Sequence, residues 1–265
     1  MSLISIFVLS LLLAGCSTVP ITGRRQLNIV SSGQERELGL TSFDQLKKET
    51  PINHDPQINA MVQRVGKRLA AVAGKDLPDA QWEFVVFESK EANAFCLPGG
   101  KVGVYTGILP ITQDDAGLAT VLGHEIGHAV AHHGAERMSD EMAIQGIGQL
   151  GGALVGSSQY AQYQNLFMNL YGIGSQVGVE LPHSRAQESE ADHIGLIYMA
   201  RAGYDPKEAV AFWERFAKYN SANGGGTPSW AQKFLSTHPV DSVRIEQLKK
   251  WMPEAEKAFA KSSIR

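Results

Sequence analysis

Three side chains, His124, Glu125 and His128, stand in the spacing H-E-x-x-H. On a helix, residues i and i+4 share a face one turn apart, so both imidazoles can grip a single metal ion. Glu125, beside the first of them, can then reach a water held at that ion. Two histidines as zinc ligands and a glutamate as general base is the pattern of a metal-dependent peptide-bond hydrolase. The plain alternative is an amphipathic helix that carries histidines and no metal. The flanks favour a helix. Leu118, Val121, Leu122, Ile126 and Ala129 recur at helical spacing, and Thr112-Gln113-Asp114-Asp115 has the form of a capping box. Gly123 and Gly127 weaken helix propensity but let another backbone come close.

Catalytic zinc ordinarily takes three protein ligands and keeps a position for water. A third histidine six residues after the second would complete the set, but Gly134 stands there. His132 extends the histidine face, yet three histidines along one helix do not converge on a small ion. It is expected beside the ligands or at the surface. Glu188 and Asp192 are the better complement. They are i and i+4 on a second helix and can both face the first. Glu188 can bind the metal, and Asp192 can accept the other ring N–H of a ligating histidine. Glu190, between them, points elsewhere and is expected as a surface charge or an ion-pair partner. A solvated acidic helix face is the bland reading of the same three carboxylates.

H-E-x-x-H followed by Glu188-Ser189-Glu190-Ala191-Asp192 resembles the gluzincin peptidase family of the heat-shock protease HtpX and the CAAX prenyl proteases. Further stretches are similar to its soluble bacterial branch: Asn93-Ala94-Phe95 with Pro98-Gly99-Gly100, the run from His128 to Met138, and Thr237-His238-Pro239 with Arg244-Ile245. The likeness covers about residues 30–250. It implies one Zn2+ per chain, held by His124, His128 and Glu188, with Glu125 as the catalytic base. It implies a zincin-like α+β domain, mostly helical, with a small β-sheet beside the active-site helix. It places Asn93 and Ala94 at a sheet edge, where a peptide substrate can add as a strand. His238 keeps two roles open: donor to the tetrahedral oxyanion, or fourth ligand that closes the site. The family often has arginine where this chain has His132.

The rest of the chain must position these groups. It has 265 residues, 19% charged and 43% hydrophobic, which suits a globular domain. A net charge of −3 gives no electrostatic case for nucleic acid. Residues 3–14 are apolar and too short to span a bilayer, but suit the core of a signal peptide. Leu13-Ala14-Gly15-Cys16 resembles a bacterial lipobox, implying cleavage after residue 15 and lipidation of Cys16. An uncleaved signal or a buried strand is the alternative. The expected layout is a signal peptide over 1–15, a lipidated N-terminus and tether over 16–32, and the peptidase domain over 33–265. Ser17 after the cysteine points to the outer membrane and its periplasmic side. Of the two cysteines, Cys96 is then left single, as a small buried side chain or a redox-sensitive thiol.

Helices are expected from about Ser32 to Glu49 and Pro56 to Ala73, and strands over Trp82 to Phe87 and Lys101 to Tyr105. Asp205-Pro206 restarts a helix with Phe212, Trp213 and Phe216 in the core. Asn220 to Pro228 reads as a glycine-rich loop, and Asp241 as a cap on the last helix. Met142 to Val179 contains no charged residue. It can form buried helices over the zinc helix, a lid over the cleft, or a surface resting on a bilayer. The function these features favour is a zinc endopeptidase. The family resemblance implies unfolded or misassembled cell-envelope proteins as its substrates. The alternative is a zinc-binding chaperone or assembly factor that holds such clients and rarely cuts.

Overall fold

The computed structural model describes residues 16–144, 157–171, 173, 184–222, 238 and 242–262. Its element order is β1 (Cys16–Thr18), β2 (Arg25–Leu27), α1 (Ser32–Glu49), α2 (Pro56–Ala73), β3 (Glu83–Phe87), β4 (Ala94–Leu97) and β5 (Lys101–Tyr105). There follow a 3-10 turn (Thr106–Ile108), α3 (Leu109–Thr112), α4 (Asp115–Val130), α5 (His133–Ile144), α6 (Ser157–Leu170), α7 (Arg185–Arg201), α8 (Lys207–Ala222) and α9 (Ser242–Ala260). The architecture is α+β and mostly helical, as expected. No helix among the described residues is long and apolar enough to cross a membrane.

Side chains at the starts of α1, α2, α4 and α7 accept from their free N–H groups. Ser31 and Gln34 form a capping box on α1, and Asp55 caps α2 with Pro56 behind it. Ser184 and Gln187 form a second box on α7. On α4 the cap is Asp114, whose carboxylate accepts from Ala116 N and Gly117 N, both at 2.9 Å. The Thr112 capping box expected from the sequence is therefore displaced by two residues. Thr112 instead closes the short helix α3, and its hydroxyl donates to the Leu109 carbonyl.

The sheet has the order β3-β5-β4, with β3 parallel and β4 antiparallel to β5. Its side chains alternate between two cores. Val86, Ala94, Cys96, Val102 and Val104 join the larger core with α2, α4, α7 and α8. Phe87, Phe95, Leu97 and Tyr105 join a second with α1, α5 and α6. β4 is an edge strand and packs on α4, so Asn93-Ala94-Phe95 does lie at the sheet edge beside that helix.

Several expectations change in the folded chain. Residues 16–27, read as part of a tether, form an antiparallel hairpin docked on the body, with Val19 in the larger core. Within the uncharged stretch, Met142–Ile144 end α5, and α6 packs on α1 and α5 rather than over α4. Phe167, Leu170 and Tyr171 are buried there. Residues 145–156 and 174–183 lie outside the described residues, as do Asp241 and most of the 220–228 loop. That loop begins later than expected, because α8 continues to Ala222.

Helix α4 is buried on every side from Gly117 to Val130. Its most extensive neighbour is α7. The two cross where neither has a side chain in the way. A Cβ on Gly195 would lie 2.7 Å from the Gly123 carbonyl carbon and 2.7 Å from His124 N, and one on Gly127 would lie 2.7 Å from the Ala191 carbonyl oxygen. Gly195→Ala must therefore push the helices apart, costing about 1–3 kcal/mol in stability. Urea denaturation and zinc titration should both show it, because His124 and Glu188 sit on opposite sides of the crossing. Gly33→Ala, which meets nothing within 4 Å, should change neither.

Candidate active site

The crossing of α4 and α7 brings the two motifs face to face. His124 and His128 are one turn apart on α4, and their Nε2 atoms lie 3.0 Å apart. Glu188, in the first turn of α7, places Oε1 3.1 Å from His128 Nε2 and Oε2 3.5 Å from His124 Nε2. His238 enters from the segment before α9. Its Nδ1 is 3.1 Å from His124 Nε2 and 3.2 Å from each Glu188 oxygen. One ligand atom from each of these four buried residues lies within 4.8 Å of the others. Three ring nitrogens and a carboxylate converging on one point are a donor set suited to zinc.

Glu125 completes the wall of the site. It is buried, and its Oε1 has no hydrogen-bond partner among the described residues, although His238 Nε2 is 3.4 Å away. Burial holds the Glu125 carboxyl above its usual range, although His238 and His124 pull the other way. Burial also opposes charge on Glu188, but the neighbouring histidines hold it well below the usual carboxylate range. Burial likewise disfavours a proton on His124, yet Glu188 and Asp192 lift it to about 9. The cluster thus has a negative field that favours a cation where the ring nitrogens meet.

Asp192 lies behind His124. Its Oδ1 is 2.9 Å from His124 Nδ1, the ring nitrogen turned away from the cluster. Sequence reasoning gave no role to Arg244, the cation that holds this arm. Arg244 Nη2 donates to Asp192 Oδ1 at 2.7 Å, and Nε lies 2.6 Å from Oδ2. Nη1 donates to Glu188 Oε2 at 3.1 Å. The guanidinium also lies over the Trp213 ring, at 3.5 Å from its centroid. Planarity, five donors and weak hydration suit arginine to this buried position. The signal that could have found it was Arg244 in the Thr237–Ile245 stretch, which was noted only as a likeness.

Of the two roles expected of Glu190 the structure takes the ion-pair partner, while the reading of His132 needs correction. Glu190 is buried and bonded to His133 Nε2 at 3.0 Å and to Arg24 Nε at 2.6 Å. His132 does not continue the α4 face, because the helix ends at Val130. His132 turns the chain at φ 53°, and its Nδ1 is 2.7 Å from Glu35 Oε2. Asn93 and Ala94 are buried at the edge strand, with the Asn93 carbonyl accepting from Tyr105 N at 2.9 Å. Cys96, two residues on, is buried, and burial pushes its thiol up, with the Glu125 charge adding to the effect. Cys16 opens β1, and nothing in the described structure bears on its lipidation.

Residues 56–252 match the family described as Peptidase family M48. The chain belongs to peptidase family M48. It is 37% identical over 243 residues to the mitochondrial metalloendopeptidase OMA1 of Schizosaccharomyces pombe, covering 90% of this chain and 67% of that protein. It is 31% identical to the human mitochondrial metalloendopeptidase OMA1, covering 89% of this chain and 46% of that one. It is also 28% identical to the beta-barrel assembly-enhancing protease of Escherichia coli, covering 86% and 46% respectively. This M48 chain is a metalloendopeptidase, and the cluster at the α4–α7 crossing is its candidate metal site.

In the M48 site Arg244 faces two buried carboxylates, Asp192 and Glu188. Arg244→Met should leave both without their cation and destabilise the metal-free protein by about 3–5 kcal/mol. Denaturant titration in the presence of a chelator measures this directly. A loss below about 1 kcal/mol would mean that the histidines alone balance those charges.

Proposed function

We propose that this M48 peptidase is a zinc endopeptidase that cuts unfolded or misassembled proteins of the bacterial cell envelope, with His124, His128 and Glu188 as zinc ligands and Glu125 as base. The convergence of four ligand atoms beside an unpartnered buried carboxylate oxygen carries this reading. Zinc, when bound, supplies the Lewis acidity that polarises a scissile carbonyl and eases deprotonation of water. Glu125 takes the proton of the attacking water and delivers it to the leaving amine. Burial of Glu125 raises its basicity and so favours the first of these transfers. Asp192, clamped by Arg244, fixes the ring orientation of His124. Asn93 and Ala94 on the edge strand are the proposed contacts for an extended substrate.

His238 turns Nδ1 into the donor set and Nε2 toward Glu125. That orientation supports the closing-ligand role over the oxyanion role for the arrangement seen. A substrate would then have to displace His238 before Glu125 could act.

The envelope assignment rests on the chain's own Leu13-Ala14-Gly15-Cys16 and on the name of the E. coli relative. Lipidation of Cys16 would hold the protein on the periplasmic side of the outer membrane. The mitochondrial relatives support the peptidase chemistry and not the compartment.

Glu125→Gln should keep the zinc stoichiometry of wild type and lose about 10²–10⁴ in the rate of cleaving an unfolded protein. Equal zinc with no cleavage by either form would favour a chaperone or a closed enzyme. His238→Ala separates those two: it should raise cleavage if His238 closes the site, and leave a chaperone inactive.

A further inference from the structure

The two histidines of H-E-x-x-H are held from behind in different ways. His124 is backed directly by a carboxylate, Asp192, and that by Arg244. Behind His128 there is first another imidazole. His128 Nδ1 lies 2.8 Å from His133 Nδ1, and both rings are buried. His133 Nε2 lies 3.0 Å from Glu190 Oε2. Glu190 in turn is held by Arg24 Nε at 2.6 Å and by the Thr22 hydroxyl. Arg24 grips Glu136 at the same time, at 2.6 and 3.0 Å, and Gln187 donates to Glu136 at 2.8 Å.

The protons in this chain have one consistent arrangement. A neutral histidine that offers Nε2 to a metal carries its hydrogen on Nδ1. His128 Nδ1 must then donate, and His133 Nδ1 must accept. A neutral His133 with Nδ1 free to accept carries its hydrogen on Nε2, which donates to Glu190. Glu190, as a carboxylate, accepts from His133, Arg24 and Thr22 together. Every group is satisfied, and the tautomers of both imidazoles are fixed from the far end.

The backbone break after α4 makes this possible. The helix ends at Val130, His132 turns at φ 53° with Glu35 holding its ring, and α5 starts at His133. The Gln26 side chain donates to the Ala131 carbonyl at that break, at 2.8 Å. A continued helix would have carried His133 away from His128.

We propose that His133 is a positioning residue for His128, and that Glu190 with Arg24 of the N-terminal hairpin sets its tautomer, so that residues 22–26 tune metal binding at a site they do not touch. The proposal rests on His128 being a metal ligand, as argued above. It assigns the hairpin a task in the active site, through a chain that crosses from α4 to α5, α7 and the turn between β1 and β2.

The test is zinc affinity by chelator competition, with the visible spectrum of the cobalt-substituted protein as a second readout. His133→Phe fills the space but can neither accept nor donate. It should weaken zinc binding about 10–100-fold and change the cobalt spectrum. His133→Gln keeps one acceptor and one donor and should recover most of the affinity. Arg24→Met, at the half-exposed end of the chain, should shift affinity in the same direction by less. It also serves if His133→Phe does not fold. Leu69→Ala, which weakens the core away from the site, should lower stability and leave zinc affinity unchanged. Wild-type affinity and spectrum in both His133→Phe and Arg24→Met would overturn the proposal. Full zinc binding by His128→Ala would instead overturn the ligand assignment, and this inference with it.

Discussion

The close crossing of α4 and α7 is the constraint on which the rest depends. Gly123 meets Gly195 and Gly127 meets Ala191 with no room for a side chain between the backbones. Only at that separation can a short glutamate on α7 reach the same point as two imidazoles on α4. The glycines lie one residue before His124 and before His128, so the contact that brings the helices together also aims the ligands. Helix propensity is given up at these positions, and tertiary packing makes up the loss.

Such proximity sets an electrostatic problem. Glu125, Glu188, Asp192 and Glu190 are all buried near the crossing. Buried carboxylates persist only with cations and donors beside them. The chain supplies two arginines from opposite ends of the sequence. Arg244 closes one side, stacked on Trp213, and Arg24 closes the other. Between these clamps the three histidine nitrogens and Glu188 are left facing one another. The site is therefore a cation-favouring donor set of defined shape, framed by groups whose own needs are met elsewhere.

Much of this was legible in the sequence because it was local. The i, i+4 spacings of His124 with His128 and of Glu188 with Asp192 fix faces of helices, whatever those helices pack against. The strand-like runs Trp82–Phe87 and Lys101–Tyr105 and the helices beginning near Ser32 and Pro56 are local in the same sense. The residues left open or misjudged depend on long-range partners. Glu190 was read only as a surface charge or an ion pair without a named partner, because its spacing from Glu188 turns it off the metal-facing side. Its partner Arg24 lies 166 residues earlier in the chain. His132 was carried along an α4 that stops two residues sooner, since the break is set by Glu35 on α1 and by Gln26 in the hairpin. The hairpin itself was read as a tether, having too few residues to declare a strand pattern.

The sequence by itself determined the chemistry: which side chains can bind a metal, which can move a proton, and on which turns of which helices they stand. Helical periodicity is enough for that, because it follows from backbone geometry alone. The tertiary structure decided what the spacing could not. It chose which helices meet, through glycines whose meaning depends on the partner backbone. It brought His238 and Arg244 into the cluster from the far end of the chain. It also turned an acidic residue and an N-terminal arginine into the support of a histidine. Those outcomes arise from burial, where each polar group must find a partner across the fold, and no local pattern specifies which one it finds.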